Sequence, residues 1–448
     1  MTRHQTRLLP GLLGCLALPA GCQESEPPPR PSVILITLDT TRSDHLQCYG
    51  YPRPTSPNLD RFAKDGAIYT EAYSTSSWTL PAHASLFTGK FPTSHGARYD
   101  PEGPLLLVDA IEGPESFERY RARGLSAGET TLAQILGAAG YDTGAVVAGP
   151  WMKKVFGLHL GFHDYDQEGL SSVRGRLAED VTDRAVDWIG EHRNGPFFMF
   201  LNYFDPHGPY EPPAEFLEPF LGASANARVP GTIENIIARY DGEIRYMDFH
   251  IGRLLGWLRE WDLYDPSWII ITADHGELLG EHGKFSHGAS LYQPEIRIPL
   301  LVKAPGAVRG ERIGAVAQLT DVLPLILRDL RLAEPEGIQG APPEERAHPI
   351  VLEVYPLPGE SKLGNWKALI HGDYKLAWNS AGEHALFDLA RDPTEQSNLL
   401  PAQAERAQTM ITALLGYLDS LPAPGAGGPE EIIDPETLEA LQQLGYLR

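Results

Sequence analysis

Val33-Ile34-Leu35-Ile36-Thr37-Leu38-Asp39-Thr40-Thr41-Arg42 is the stretch on which the architecture turns. An unbroken run of apolar and β-branched residues reads as a strand buried on both faces, and the switch to Asp, Thr and Arg marks its end. Comparable runs recur at 144–148, 197–203, 268–272 and 299–302, with helical periodicity at 131–139 and 178–192 between them. Strands alternating with helices predict an α/β fold, a large and mostly parallel central sheet with helices on both faces. In such a sheet a ligand site lies beyond the carboxyl ends of the strands.

The residues just beyond these strands are chemically uniform. Asp39 ends the first run, Asp205-Pro206-His207-Gly208-Pro209 follows 197–203, and Asp274-His275-Gly276-Glu277 follows 268–272. A single Asp after a strand is commonly a turn former or a helix cap. Repeated acid and imidazole at one sheet edge point instead to a cation, because Asp and neutral His are ligands for Zn, Mn and similar metals. Between the first two runs lies Ser77-Trp78-Thr79-Leu80-Pro81-Ala82-His83, continuing to Thr88-Gly89. Pro81 suits the first turn of a helix and Gly89 its end. Thr79 then stands at the helix entrance, where unpaired N–H groups and the dipole favour an anion, although threonine also serves there as a simple cap. Trp78 reads as core packing, with a substrate platform the alternative, and Glu277 as either a partner for His275 or a capping acid.

These motifs resemble the sulfatases, a branch of the alkaline phosphatase superfamily. The family signature runs nucleophile, any residue, Pro, any residue, Arg, closing with Thr-Gly, and Pro81, Thr88 and Gly89 fall in place. Asp39, with Asp44-His45-Leu46 and Cys48-Tyr49-Gly50 after it, is similar to the first metal-ligand segment, and Asp274-His275-Gly276 to the second. His207 sits in a Pro-His-x-Pro element; Arg297-Ile298-Pro299-Leu300, Leu319-Thr320-Asp321 and Asp373-Tyr374-Lys375-Leu376 follow in family order. The resemblance implies the sulfatase-like architecture over 32–335, with a smaller antiparallel-sheet subdomain over 348–420.

The departures shape the chemistry. Family sulfatases carry Cys or Ser at the nucleophile and oxidise it to formylglycine; Thr79 cannot become that aldehyde, so no formylglycine is expected. His83 replaces the signature Arg, Thr40 the second Asp of the usual pair, and His287 the later Lys. Threonine nucleophiles occur in related phosphoethanolamine and glycerophosphate transferases and in nucleotide phosphodiesterases. A free Thr hydroxyl is a poor nucleophile at neutral pH and needs a bound cation. The expected ligand set is Asp39, Asp274, His275 and Thr79, which suits Zn or Mn, with calcium the alternative. His83, His207 and His287 are expected to bind the ester's oxygens, and His207 or His287 to protonate the leaving group. The reading is a metal-dependent hydrolase of a sulfuric or phosphoric ester; a transferase and an inactive protein that binds anionic ligands are the alternatives.

Composition bounds the partners. The chain has 448 residues, with 37 basic and 59 acidic side chains, a formal charge of −22. That excess of acid argues against nucleic acid as a partner, leaving a small-molecule, glycan or lipid ester as substrate. Arg3, His4 and Arg7 precede an apolar stretch over 8–20 that is too short to span a bilayer. Ala20-Gly21-Cys22 resembles a lipoprotein cleavage site, so residues 1–22 are expected to be a signal, 23–31 a tether, and a lipid on Cys22 the one link to a membrane. The expected location is the periplasm or cell envelope, otherwise secretion. The polar stretch 98–128 reads as a solvated loop or a lid, and 421–448 as a linker and a terminal helix begun by Asp434-Pro435.

Overall fold

The computed structural model describes residues 30–425 apart from 112–119, 171–174, 223–224, 308, 347–348 and 357–363. The expected signal, the tether up to residue 29 and the terminal helix therefore lie outside the described residues. The central sheet is built from β1 (Val33–Leu38), β2 (Ala67–Tyr69), β3 (Asp142–Val146), β4 (Asp164–Asp166), β5 (Phe197–Tyr203), β6 (Trp268–Thr272), β7 (Leu300–Lys303) and β8 (Glu311–Ile313), in the order β8-β2-β7-β6-β1-β5-β3-β4. Every residue of β1, β5 and β6 is buried, as their continuous apolar runs require. The strands are parallel except β7, which runs against both β6 and β2. The run at 299–302 is thus a strand of opposite direction, which its composition could not reveal.

Helices α1 (Pro57–Asp65), α2 (Thr79–Thr88), α3 (Ala178–His192) and α4 (Ile233–Glu260) accompany the sheet. Thr131 caps the helix Leu132–Ala138 with the reciprocal Thr/Gln bonds of a capping box. A second, antiparallel sheet of β9 (Ile350–Val354), β10 (Trp366–His371), β11 (Tyr374–Asn379) and β12 (Ala385–Asp388) packs through Leu369, Leu376 and Leu386 on α5 (Ala404–Ser420). The α/β architecture with a C-terminal antiparallel sheet is therefore as expected. The stretch 98–128 differs: Arg98–Tyr99, Leu105–Leu106 and Arg121–Arg123 pair into a small sheet, with strands too short to show a period.

Register explains why functional groups gather where they do. Thr37 of β1 pairs with Asn202 of β5 and with Thr272 of β6, so these strands end level and deliver Asp39, Asp205 and Asp274 to one rim. The C-terminal sheet braces the approach to α2: the Glu353 N–H donates to Thr75 O (2.9 Å) and the Gln318 amide to both Ser74 O and Val351 O. It also holds the segment after β6. Lys375 Nζ, buried, donates to Glu395 Oε1 at 2.5 Å and to Leu291 O, while Glu395 Oε2 accepts from Gln293 N at 2.7 Å. Removing one partner strands the other charge. Lys375→Met is expected to destabilise by about 3–5 kcal/mol, and Lys375→Met/Glu395→Gln by clearly less, in urea unfolding. Equal losses in the two variants would mean that the pair is not what matters.

Candidate active site

Asp39, Asp274 and His275 present ligand atoms within 4.8 Å of one another, all three side chains fully buried. Both carboxylate oxygens of Asp39 and Oδ2 of Asp274 lack a hydrogen-bond partner among the described residues. Asp274 Oδ1 accepts from His275 N (2.8 Å) and Thr40 N (3.3 Å), which fixes the carboxylate and leaves its second oxygen free. His275 Nδ1 donates to Gly276 O at 2.9 Å, so a neutral ring exposes the Nε2 lone pair, which lies 3.3 Å from Asp274 Oδ2. Burial, then the Asp274 charge, holds Asp39 well above the ordinary carboxylate pKa; burial raises Asp274 to about 7 and, with His287 next, pushes His275 well down. Unpaired acceptors converging in a dry site are costly alone and are the donor set a divalent cation needs. The residues present fit such an ion.

Thr79 lies beside this group. It is the first residue of α2, its side chain buried, and its hydroxyl lies 3.3 Å from His275 Nε2. The cap position belongs to Trp78, which makes no side-chain cap bond, so capping does not occupy the Thr79 oxygen. Gly89 ends the helix at φ 65°, as its position predicts.

The three further histidines separate. His83, one turn after Thr79, donates from Nδ1 to Thr79 O and accepts at Nε2 from Thr37 Oγ1, each at 2.9 Å. Fully buried against the edges of Phe87 and Phe200, it braces the helix entrance, with both nitrogens taken. Burial lowers its pKa to about 4, so it is neutral. His207 and His287 are half-buried and sit at the mouth, ring centroids 5.0 Å apart; His287 also lies 4.5 Å from the His275 ring. His207 donates from Nδ1 to Gly208 O at 2.8 Å, and burial lowers its pKa to about 4. His287 is different. Burial opposes its charge, but buried Glu277, 3.0 Å from Nδ1, outweighs that and raises its pKa.

Glu277 is therefore the partner of His287, neither of His275 nor of a helix end. The chain passes from it into the hairpin of Leu278–Leu279 and Phe285–Ser286, which returns His287 to its side. Asp205 does not join the metal group: its Oδ1 accepts from Ala178 N at 2.9 Å at the start of α3. Arg42 binds Asp44 through two nitrogens and Glu281 through the third. Thr40 holds φ 53°, a costly conformation for a β-branched residue, kept by its N–H to Asp274 and by Tyr240 Oη donating to its carbonyl (2.7 Å). A cleft of about 970 Å³ beside the site is lined by Arg42, Arg297 and Arg312 with Glu71 and Asp373, without the metal group or Thr79.

Residues 31–330 match the family model described as Sulfatase. The chain belongs to the sulfatase family. It is 25% identical over 472 residues to the uncharacterized sulfatase YidJ of Escherichia coli strain K12, covering 88% of each chain. An arylsulfatase of Clostridium perfringens is 24% identical over 471 residues, covering 84% of this chain and 91% of its own. The crystal structure of a phosphonate monoester hydrolase from Agrobacterium radiobacter superposes with a TM-score of 0.69 at 19% identity, covering 87% of this chain and 95% of that one. The fold is thus shared by proteins named for sulfur and for phosphorus esters.

Proposed function

We propose that this sulfatase-family protein is a divalent-metal-dependent hydrolase of a sulfuric or phosphoric ester, with Thr79 as the attacking group. The observation that carries this reading is the Thr79 hydroxyl, 3.3 Å from His275 Nε2 beside the unpaired oxygens of Asp39 and Asp274. Asp39, Asp274 and His275 would hold the cation, Zn or Mn by donor type; when bound it supplies positive charge that lowers the hydroxyl pKa and offsets the ester's charge. Thr79 Oγ1, its proton already lost to solvent at the lowered pKa, attacks phosphorus or sulfur, the bond to the leaving oxygen breaks, and a Thr ester results; hydrolysis later returns Thr79 in the same deprotonated form. His287, its pKa raised by Glu277, gives its proton to the departing alcohol, then takes one from the water that attacks the same atom and releases Thr79. His207 keeps a free Nε2 for the substrate or that water. The relatives named arylsulfatase and phosphonate monoester hydrolase support an ester of either element.

A panel of aryl sulfate, phosphate monoester, phosphodiester and phosphonate substrates tests this on Zn- and Mn-loaded protein. Turnover of one class, lost in Thr79→Ala, is expected; turnover that survives in Thr79→Ala removes the assignment. The His287 role has its own pH signature. Activity should fall as pH rises through the His287 pKa, and Glu277→Gln should move that fall to lower pH, because the raising charge is gone. An unmoved limb would take the proton from another group. We further propose that the chain is exported and tethered through Cys22, so that Cys22→Ser should release it from the membrane fraction.

A further inference from the structure

Trp78 is buried to 5% exposure, yet its indole N–H has no hydrogen-bond partner among the described residues. Buried donors are ordinarily paired, and an exception calls for an explanation. Its surroundings supply one. Trp78 immediately precedes Thr79, with an extended backbone at φ −155° and ψ 161°. Gly288, directly after His287, lies against it: a Cβ there would stand 3.4 Å from the Trp78 Cβ, and the Gly288 φ of +82° already disfavours one. The indole meets Trp151 edge-on, centroids 4.9 Å apart, and Trp151 is half-buried in the turn Pro150–Met152 that follows β3. Trp78 therefore touches the entrance of the nucleophile helix, the His287 turn and the rim of the sheet, where the mouth of the site lies.

His83 is occupied on both nitrogens and Arg42 is committed to Asp44 and Glu281, so neither offers a hydrogen to an ester oxygen. We propose that Trp78 is a substrate-binding residue, its Nε1–H donating to a non-bridging oxygen of the sulfate or phosphate group that Thr79 attacks. The assignment rests on the Thr79 reading for the position of that group. A neutral donor suits a group that carries its charge dispersed over several oxygens, and it adds no proton to the reaction: it binds and orients.

Inorganic phosphate and sulfate are the probes, added to the full metal-loaded chain. In a ¹⁵N-indole spectrum one of the eight tryptophan resonances should move downfield with phosphate, and it should be the one missing in Trp78→Phe or Trp78→Tyr. Phosphate affinity should fall about tenfold to a hundredfold in Trp78→Phe, the range for a hydrogen bond to a charged group, while Trp151→Phe keeps it. If no indole resonance moves, or if Trp78→Phe binds both anions like wild type, the proposal is wrong. The wild-type spectrum decides even where a variant does not fold. Thr79→Ala separates the two readings: it should be inactive yet keep the indole shift. An active Thr79→Ala overturns the nucleophile alone; an inactive one with silent indoles overturns Trp78 alone.

Discussion

Thr79→Ala is expected to lower kcat/KM for the best substrate by about 10⁴-fold or more, whereas Thr79→Ser keeps activity within about tenfold of wild type. The alanine variant keeps the helix: Thr79 is not its cap, and the His83 bond goes to the Thr79 carbonyl, which any residue provides. Loss of stability therefore cannot account for loss of turnover, and near-equal unfolding midpoints check this. Serine retains an oxygen at the same place but frees its rotamer, since the β-branched residue is stiff at χ1. Burst kinetics supply the second readout. Wild type should release about one equivalent of alcohol ahead of the steady state if breakdown of the Thr ester is slow, and mass spectrometry of the quenched enzyme should place the added group on the peptide containing Thr79. A variant without the hydroxyl that still turns over and labels elsewhere would end the assignment.

The sequence made some of this legible and hid the rest for identifiable reasons. β1, β5 and β6 announce themselves because they are buried on both faces, and Asp39 and Asp274 announce the rim because each comes directly after its strand. Strand direction has no local signature, so β7 read as one more parallel strand, although it returns antiparallel to β6. His83 occupies the signature position of a substrate-binding cation, yet the i,i+4 geometry of α2 turns it onto Thr79 O and beneath Thr37. Asp205 looked like Asp39 and Asp274, and only the chain geometry after β5 commits it to the start of α3. The Glu277–His287 pair could not be chosen over Glu277–His275 without the intervening hairpin. Trp78 reads as buried, and it is; a missing hydrogen bond depends on the folded neighbours and has no mark in the sequence.

Asp39→Asn should reverse its rank against wild type according to whether metal is present. Asp39 and Asp274 are buried together with three unpaired oxygens between them, and no lysine or arginine faces them among the hydrogen bonds and ion pairs of the described residues. Without a cation this arrangement is destabilising, because each carboxylate is desolvated and lies beside a like charge. Both pKa values are raised, that of Asp274 to about 7, so above the ordinary value of 3.8 and up to these raised values the folded chain binds more protons than the unfolded one, and their contribution to stability falls as pH rises. His83 and His207, with lowered pKa values, act in the opposite sense below pH 6.5. Comparing variant with wild type cancels that shared background. In chelator-treated protein at pH 8, Asp39→Asn should therefore unfold at a higher midpoint than wild type, and the gap should close as pH approaches 4. Adding Zn or Mn at a thousandfold excess over its Kd should stabilise wild type by about 4 kcal/mol, while the variant, short of one ligand, gains far less and falls below it. An Asp39→Asn protein less stable than wild type in chelator, or stabilised by metal to the same extent, would show that these carboxylates are held apart from any cation site.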